Sequence, residues 1–443
     1  MNIRRAGLLL LAAIGSLRGH AQDAGRMSVQ DCIAYAKEHQ VRYKNVKLDE
    51  LITKAKNAEI TGMALPSVKA NGQFVHNAVI PTQVLPGDFI GQPGTTVPVK
   101  FSLNYTNQGG ISANQILFDG SITVALMARK TIEKMAHLNV ERSEIDLKQD
   151  VANAYFSVVI ASKAIDLLRE NVRNIERIET EIKGIYEQGL QERIDVDRIT
   201  VQKNNMQNEL TKAENLFELG QNALKYQMGM PLEQNIVLTD SLNEDMLKAG
   251  VADDAFSLDY SVRKEFQMSE TNIKLQELDL KRYRFSALPT LAAFGNIGSN
   301  TATNKFNEIF NGQYYFSAYY GLNLSVPIFE GLQRVNKVKQ ARYNVEKAQN
   351  DLENLKLGLD LEFRQANITL KNSLKTLANS KATMDLASRV YTVTQIKYRE
   401  GVGSNLEILD ASSQLLVAQT NYFNSMLDAY MSRIALLRAT GKL

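Results

Sequence analysis

Proline placement constrains this chain more than any other feature. All eight prolines lie at positions 66, 81, 86, 93, 98, 231, 289 and 327, so none falls between 99 and 230 or between 328 and 443. Proline removes an intrahelical donor and clashes with the preceding turn, which keeps it out of helix interiors. The two proline-free stretches are also poor in glycine and rich in Leu, Lys, Glu, Gln, Asn and Ala, and they read as long helices. In the second, apolar residues recur at Val338, Ala341, Val345, Ala348, Leu352, Leu355 and Leu359 in steps of three and four, a coiled-coil seam. A step of four then leads to Phe363, followed by Ala366 and Leu370, as at a stutter. At about 1.5 Å per residue, a helix over 331–398 is roughly 100 Å long. It needs similar helices alongside it.

The two stretches are copies of one another. Tyr186-Glu187-Gln188-Gly189 answers Tyr398-Arg399-Glu400-Gly401 at an offset of 212, and Ile194-Asp195 answers Leu406-Glu407 at the same offset. Ala223-Leu224 through Gly229 answers Ala435-Leu436 through Gly441. Upstream, Phe118-Asp119-Gly120 answers Phe329-Glu330-Gly331, and Leu65-Pro66 answers Leu288-Pro289. The first copy carries extra residues between its Leu-Pro and its Phe-Asp-Gly, including the Pro- and Gly-rich stretch 81–98, which reads as a long loop.

Between Leu-Pro and Phe-acid-Gly the period changes to two. In the second copy Tyr314, Phe316, Ala318, Tyr320, Leu322, Leu324, Val326 and Ile328 share one face, and Gln313, Tyr315, Ser317, Tyr319, Gly321, Asn323 and Ser325 the other. In the first copy Val97, Val99, Phe101, Leu103 and Tyr105 keep phase with Ile111, Ala113 and Leu117, against Lys100, Ser102, Asn104, Thr106, Ser112 and Asn114. Shorter alternating runs start at Val68 and Leu291. Each copy therefore gives a hairpin with one apolar and one polar face. A soluble sandwich would press the apolar faces together, whereas a transmembrane barrel turns them to lipid and lines water with the polar set. The length of the strands and the small and amide residues of the polar set favour the barrel. The chain has no Trp, so Tyr and Phe would have to form any interfacial girdle.

The N-terminus reads as an export signal. Arg4 and Arg5 precede an apolar run from Ala6 to Leu17, and Gly19-His20-Ala21 supplies small residues at −3 and −1, so cleavage is expected after Ala21. The run is too short to span a bilayer as a helix, and no cysteine follows it directly, so a lipid anchor at the mature N-terminus is not expected. Lys and Arg total 51 against 48 Asp and Glu, and three of the basic residues sit in the signal, which leaves the mature chain balanced. That balance speaks against nucleic acid as a partner. The one cysteine, Cys32, allows no intrachain disulfide and no thiolate cluster.

The expected organisation is a signal peptide at 1–21, a first repeat at 22–230, a linker at 231–257 and a second repeat at 258–443. The first repeat is expected to hold a helix at 29–62, strands at about 66–80 and 97–118, and helices at 120–187 and 192–228. The second is expected to hold a helix at 258–286, strands at about 289–299 and 313–329, and helices at 331–399 and 405–439. The fold class is α+β membrane protein: a coiled-coil helical tunnel continued by a β-barrel to which each chain gives four strands.

At this point the chain resembles the TolC family of outer-membrane efflux proteins over essentially all of its mature length. The resemblance rests on the tandem duplication, the Leu-Pro strand starts, the two Tyr-x-x-Gly helix breaks, and the strand endings Gln115-Ile116-Leu117-Phe118-Asp119-Gly120 and Val326-Pro327-Ile328-Phe329-Glu330-Gly331. It implies a homotrimer whose strands close one barrel in the outer membrane of a Gram-negative bacterium, with most of the chain in the periplasm. It also implies a periplasmic adaptor (membrane fusion) protein and an inner-membrane pump of RND or ABC type as partners. Physics points the same way: four strands leave two open edges, and a lipid-exposed sheet edge is not tolerated.

The resemblance places the periplasmic tips at the helix breaks, Gly189, Leu190 and Gln191 in one copy and Val402, Gly403 and Ser404 in the other, as adaptor-docking residues. Glycine at 403 is expected to permit positive φ and close approach of another backbone. Beyond the second tip, Glu407 and Asp410 share one helix face by their i,i+3 spacing. In the family such acids ring the tunnel entrance and attract cations; the plain alternative is a solvated helix face. Asp195 matches a residue that latches the closed entrance, and Tyr398 matches its hydrogen-bonding partner. Gly403 stands where a basic latch partner is expected, which leaves Arg193 or Arg399 as substitutes.

Nothing points to an enzyme. The histidines, His20, His39, His76 and His137, are scattered, and the chain has no G-x-S-x-G, P-loop or dinucleotide fingerprint. No cofactor and no metal are expected. The reading is an outer-membrane channel subunit of a tripartite efflux or type I secretion system; the alternative is a structural coiled-coil scaffold of the envelope without a through-channel.

Overall fold

The computed structural model describes residues 25–91, 93–242, 247 and 258–443. The signal peptide expected at 1–21 lies outside the described residues, as do positions 243–246 and 248–257 of the expected linker. In chain order the elements are β1 (Arg26–Met27), α1 (Val29–His39), α2 (Val41–Gly62), β2 (Ser67–His76), β3 (Gln83–Pro86), β4 (Thr96–Val99), β5 (Tyr105–Phe118), α3 (Gly120–Glu187), α4 (Arg193–Met228), β6 (Val237–Leu238), α5 (Lys264–Phe285), β7 (Thr290–Thr303), α6 (Glu308–Asn311), β8 (Tyr315–Ser325), α7 (Gln333–Arg399) and α8 (Asn405–Ala439). The described residues fall into two compact units, one within 49–138 and 267–354, the other within 25–48, 139–266 and 355–443.

The first unit holds a four-stranded antiparallel sheet in the order β2-β5-β7-β8. Its central pairing, β5 with β7, joins the two repeats. Gly110 and Gly298 let these backbones approach: a Cβ on Gly110 would stand 2.8 Å from the Ile297 carbonyl oxygen, and one on Gly298 2.9 Å from the Gly109 carbonyl oxygen. The register puts Ala70, Ile111, Ile297 and Ala318 in one row across all four strands. The apolar sets of both repeats therefore share one face, with Val68, Phe74, Ala113, Leu291, Phe316, Tyr320, Leu322 and Leu324 beside that row. The opposite face carries Lys69, Asn71, Gln73, Gln108, Ser112, Asn114, Asn296, Asn300, Ser317 and Asn323. Phe294 also stands on it, flat over Gly321, where a Cβ would meet the ring at 2.9 Å.

The strand expected over 97–118 is two strands. Residues 96–99 pair with 83–86 in a separate hairpin, and the main strand starts at Tyr105. Asn77 closes the main pair: its backbone N–H donates to the Asn104 carbonyl and its side chain to the Leu103 carbonyl. Phe101 and Leu103 thus fall outside the ladder. A bulge between Ile116 and Phe118 moves Leu117 out of phase and sets Phe118 opposite Leu291. The strand expected over 313–329 stops at Ser325, two residues before Pro327, which has no ladder donor. The strand expected over 289–299 runs to Thr303, where its pairing with β5 continues to Tyr105 although its apolar alternation ends at Ile297.

In the first repeat the helix begins directly after the strand, whereas residues 326–332 separate β8 from α7. Asp119 caps α3 by accepting from the N–H groups of Ser121 and Ile122. Gly120 packs so closely on the Phe285 carbonyl that no side chain fits there. The corresponding turn in the second repeat places Gly331 and Leu332 at positive φ. Along α7 the expected seam is inward: Ala341, Ala348, Leu359, Phe363, Ala366 and Leu370 are buried.

In the second unit, α1, α3 and α4 enclose a core of Cys32, Ala36, Leu147, Val151, Tyr155, Leu224 and Met228. The Tyr155 hydroxyl donates to the Met27 carbonyl and accepts from the Asp240 N–H, which fixes the parallel pair β1–β6 against it. The single helix expected at 29–62 breaks at Gln40, whose backbone is extended and whose side chain caps α2 at Tyr43. The break is where Gly229, at φ 71, meets the chain: a Cβ there would be 2.7 Å from the His39 carbonyl oxygen. The helix expected at 258–286 starts instead at Lys264, after the buried Arg263, which donates to the Ala439 carbonyl at the end of α8 and to Glu362.

Candidate functional site: the paired helix turns

Both helix breaks are built alike. After α3, the Gly189 N–H donates to the Tyr186 carbonyl and the Leu190 N–H to the Ile185 carbonyl. After α7, the Gly401 N–H donates to the Tyr398 carbonyl and the Val402 N–H to the Lys397 carbonyl. This is the paired bonding of a helix ended by a left-handed residue, and Gly189 and Gly401 have φ of 76° and 73°. The left-handed glycine of the second turn is Gly401 rather than Gly403. Gly403 is needed for space, since a Cβ there would lie 3.0 Å from the Tyr398 nitrogen. Each turn pushes an apolar side chain into the open: Leu190 is 74% exposed and Val402 is 78% exposed. Ser404 then caps α8 by accepting from the Glu407 N–H.

The two turns are tied to each other. Asn405, buried at the start of α8, donates to the Asp195 carbonyl and carboxylate, each at 3.1 Å. Gln191 donates to the Tyr398 hydroxyl at 3.1 Å. Tyr398 is buried, and burial together with the Asp195 charge raises its pKa against the Gln191 hydrogen bond, which keeps the phenol neutral. Asp195 and Tyr398 thus take different hydrogen-bond partners within the chain rather than each other. Neither basic candidate reaches Asp195: Arg193 lies 3.9 Å from Asp197, and Arg399 lies 3.7 Å from Glu181. Arg198 is the cation beside Asp195, at 4.0 Å. Glu407 and Asp410 are both exposed, and Asp410 accepts from Gln414 at 2.7 Å.

Two residues of this region escaped the sequence reading. One is Asn405. The other is Glu179, set in α3 among the buried Ile175, Ile178 and Ile182. Burial would raise its pKa, but hydrogen bonds from Lys203, Lys183 and Thr200 overcome that and hold it at about 2. A lone acid in an isoleucine stripe was the available signal. It clamps α3 to α4 just before the first turn.

A family model described as outer membrane efflux protein matches residues 98–229 and 263–442, one long segment in each repeat. The chain belongs to the outer membrane efflux protein family. It is 25% identical over 342 residues to the outer membrane protein TolC of Vibrio cholerae, covering 75% of this chain and 76% of that one. Among solved structures, the CusC channel superposes with a TM-score of 0.75 at 14% identity, over 93% of this chain and 91% of that one. The CmeC outer membrane channel of Campylobacter jejuni gives 0.73 at 17% identity, over 94% and 86%. These likenesses show the shared α+β tunnel fold. The efflux protein family is one of Gram-negative outer-membrane channels and not of enzymes, and this chain is such a channel component of efflux or secretion systems.

Proposed function

We propose that this chain forms a closed homotrimeric duct through the outer membrane, with its two helix turns at the periplasmic entrance. The observation that carries the reading is the four-stranded sheet, apolar and exposed on one face, amide-rich on the other, with both edge strands, β2 and β8, unpaired at their outer sides among the described residues. Lipid on the apolar face and further copies on the edges satisfy it. The chemistry is conduction, with no catalytic step and no cofactor. The cargo is whatever the partner pump delivers.

Leu190 and Val402, equivalent and exposed at the turns, suit the apolar hairpin of a periplasmic adaptor, which would couple the duct to an inner-membrane pump of RND or ABC type. Glu407 and Asp410 would recur in each copy around the entrance and favour cations there. Single-channel recording tests this: Glu407→Gln with Asp410→Asn should reduce cation preference and weaken block by multivalent cations. Unchanged selectivity would return both acids to an ordinary solvated face.

The internal repeat supports a specific closing contact between copies. At the offset of 212, Asn405 corresponds to Arg193 and Asp195 to Glu407. Within the chain Asn405 holds Asp195. In a ring that continues the repeat, Arg193 of one copy would hold Glu407 of the next while the entrance is closed, an ion pair where the chain itself uses an amide; opening would release Glu407 to act on cations with Asp410.

A further inference from the structure

Along β7 the outward, apolar face begins with Leu291, Ala293 and Ile297 and then turns polar at Ser299, Thr301 and Thr303. Ile297 is exposed, yet Thr301 is only 4% exposed and Thr303 is likewise buried. What covers them is the loop between β7 and β8, residues 304–314. Its Ile309 is buried, and Gly312 sits against the Thr301 hydroxyl. The Thr303 hydroxyl donates to Glu308 at 2.6 Å. Asn107, on the same outward face of β5, donates to the Tyr314 hydroxyl, which in turn donates to the Ile309 carbonyl at 2.6 Å.

The loop also brings rings to that face. Phe306 stands edge-on to Phe74 and Tyr105, with centroids 6.1 and 5.7 Å away, and Phe310 stands edge-on to Phe306 at 5.9 Å. His76 stacks on Tyr105 at 4.5 Å. Phe74, His76 and Tyr105 all point outward by the sheet register. Each of these contacts is to the apolar face, so the loop folds down over the outside of the sheet. This end of the sheet is the one remote from the helices, which join at Ser67, Phe118, Thr290 and Ser325.

We propose that residues 304–314 are a membrane anchor seated at the headgroup–acyl boundary of the outer leaflet, folded away from the pore mouth. A spanning strand needs about 9–11 residues, and β7 has 14, so its polar end stands at the interface. The loop satisfies the polar side chains there and replaces them with Phe306 and Phe310, the latter 70% exposed. Aromatic rings collect at that depth, and Lys305 is paired within the loop to Glu308 at 3.0 Å, so the loop brings no net charge there. In a chain without tryptophan, this cluster takes the place of the girdle. The inference rests on the proposal that the apolar face meets lipid.

The absence of tryptophan supplies the test. Phe310→Trp, purified as assembled protein, gives a single reporter in vesicles of phosphatidylcholine and phosphatidylglycerol brominated either near the headgroup or near the chain end. Tyr320→Trp, mid-strand on the same face and 92% exposed, reports separately on lipid contact of the sheet. Phe306→Trp is the second loop reporter if Phe310→Trp fails to assemble. The expected result is blue-shifted loop emission, quenched most by shallow bromine and little by aqueous iodide, with Tyr320→Trp quenched most by deep bromine. Loop emission quenched by iodide and indifferent to bromine, with Tyr320→Trp still quenched by lipid, would overturn the anchor and leave the lipid-facing sheet intact. Indifference to bromine at both positions would overturn both.

Discussion

The side-chain amide of Asn405 holds both the carbonyl and the carboxylate of Asp195, and so fastens the helix turn of the second repeat to that of the first. The partners are 210 residues apart in sequence. The contact is buried on the Asn405 side and supplements the Gln191–Tyr398 bond between the same two turns.

Asn405→Ala should loosen the entrance. It removes one hydrogen bond to a carboxylate, commonly worth about 1.5–3 kcal/mol, and one to a backbone carbonyl, worth about 0.5–1.5 kcal/mol. Single-channel recordings should show longer or more frequent open events than the parent, with barrel assembly unchanged. Gln191→Ala should act in the same direction and more weakly, because its partner is a neutral phenol. An unaltered open fraction in both variants would mean that these bonds do not hold the entrance shut.

The contact proposed between copies predicts a charge-swap result. Arg193→Glu should repel Glu407 of the neighbouring copy and raise conductance, as should Glu407→Arg against Arg193. The double variant should restore the closed behaviour. If the double variant behaves as the sum of the singles, Arg193 and Glu407 do not meet.

Glu179 predicts a pH dependence. Its carboxyl is held at about 2 instead of 4.5, so its clamp is complete above the ordinary carboxylate range and is lost as pH falls toward 2. The shift corresponds to about 3 kcal/mol for a well-buried group. Glu179→Gln should therefore speed amide hydrogen exchange over 176–206 at neutral pH. The parent should approach the same rates only in acid. Equal exchange in parent and variant at pH 7 would contradict the clamp.

The long helices, their break points and the duplication were legible in the sequence because proline exclusion and the offset of 212 are both insensitive to tertiary context. α3 and α8 even begin and end where the pattern places them, at Gly120–Glu187 and Asn405–Ala439. The hairpin at 83–99 was not legible, since Val97 and Val99 continue the phase of the main strand, whose start is fixed by Asn77 and Asn304 on the 103–104 backbone. Nor was the break at Gln40, which no proline or glycine marks and which Gly229 meets from a distant helix. At the turns, the positions were legible and the partners were not. Asn405 follows a cap residue and looks like an ordinary first-turn side chain until the other repeat's helix is set beside it.

The exposed tips separate docking from folding. Leu190→Asp and Val402→Asp put a charge on side chains that touch little within the chain, so assembly should be retained while cross-linking to the adaptor and export are lost. Gly403→Val should also assemble, because the 67 residues of α7 separate the turn in sequence from the strands, but its Cβ would force the Lys397–Tyr398 backbone aside and displace Val402. Normal export by all three would place the adaptor's grip elsewhere on the helices.

The most direct test of the whole account is the mass of the particle extracted from the outer membrane in mild detergent. Among the described residues β2 and β8 are open edges that other copies would close, and a homotrimer that separates into single chains only on denaturation is expected. A stable monomer in the membrane extract would contradict it.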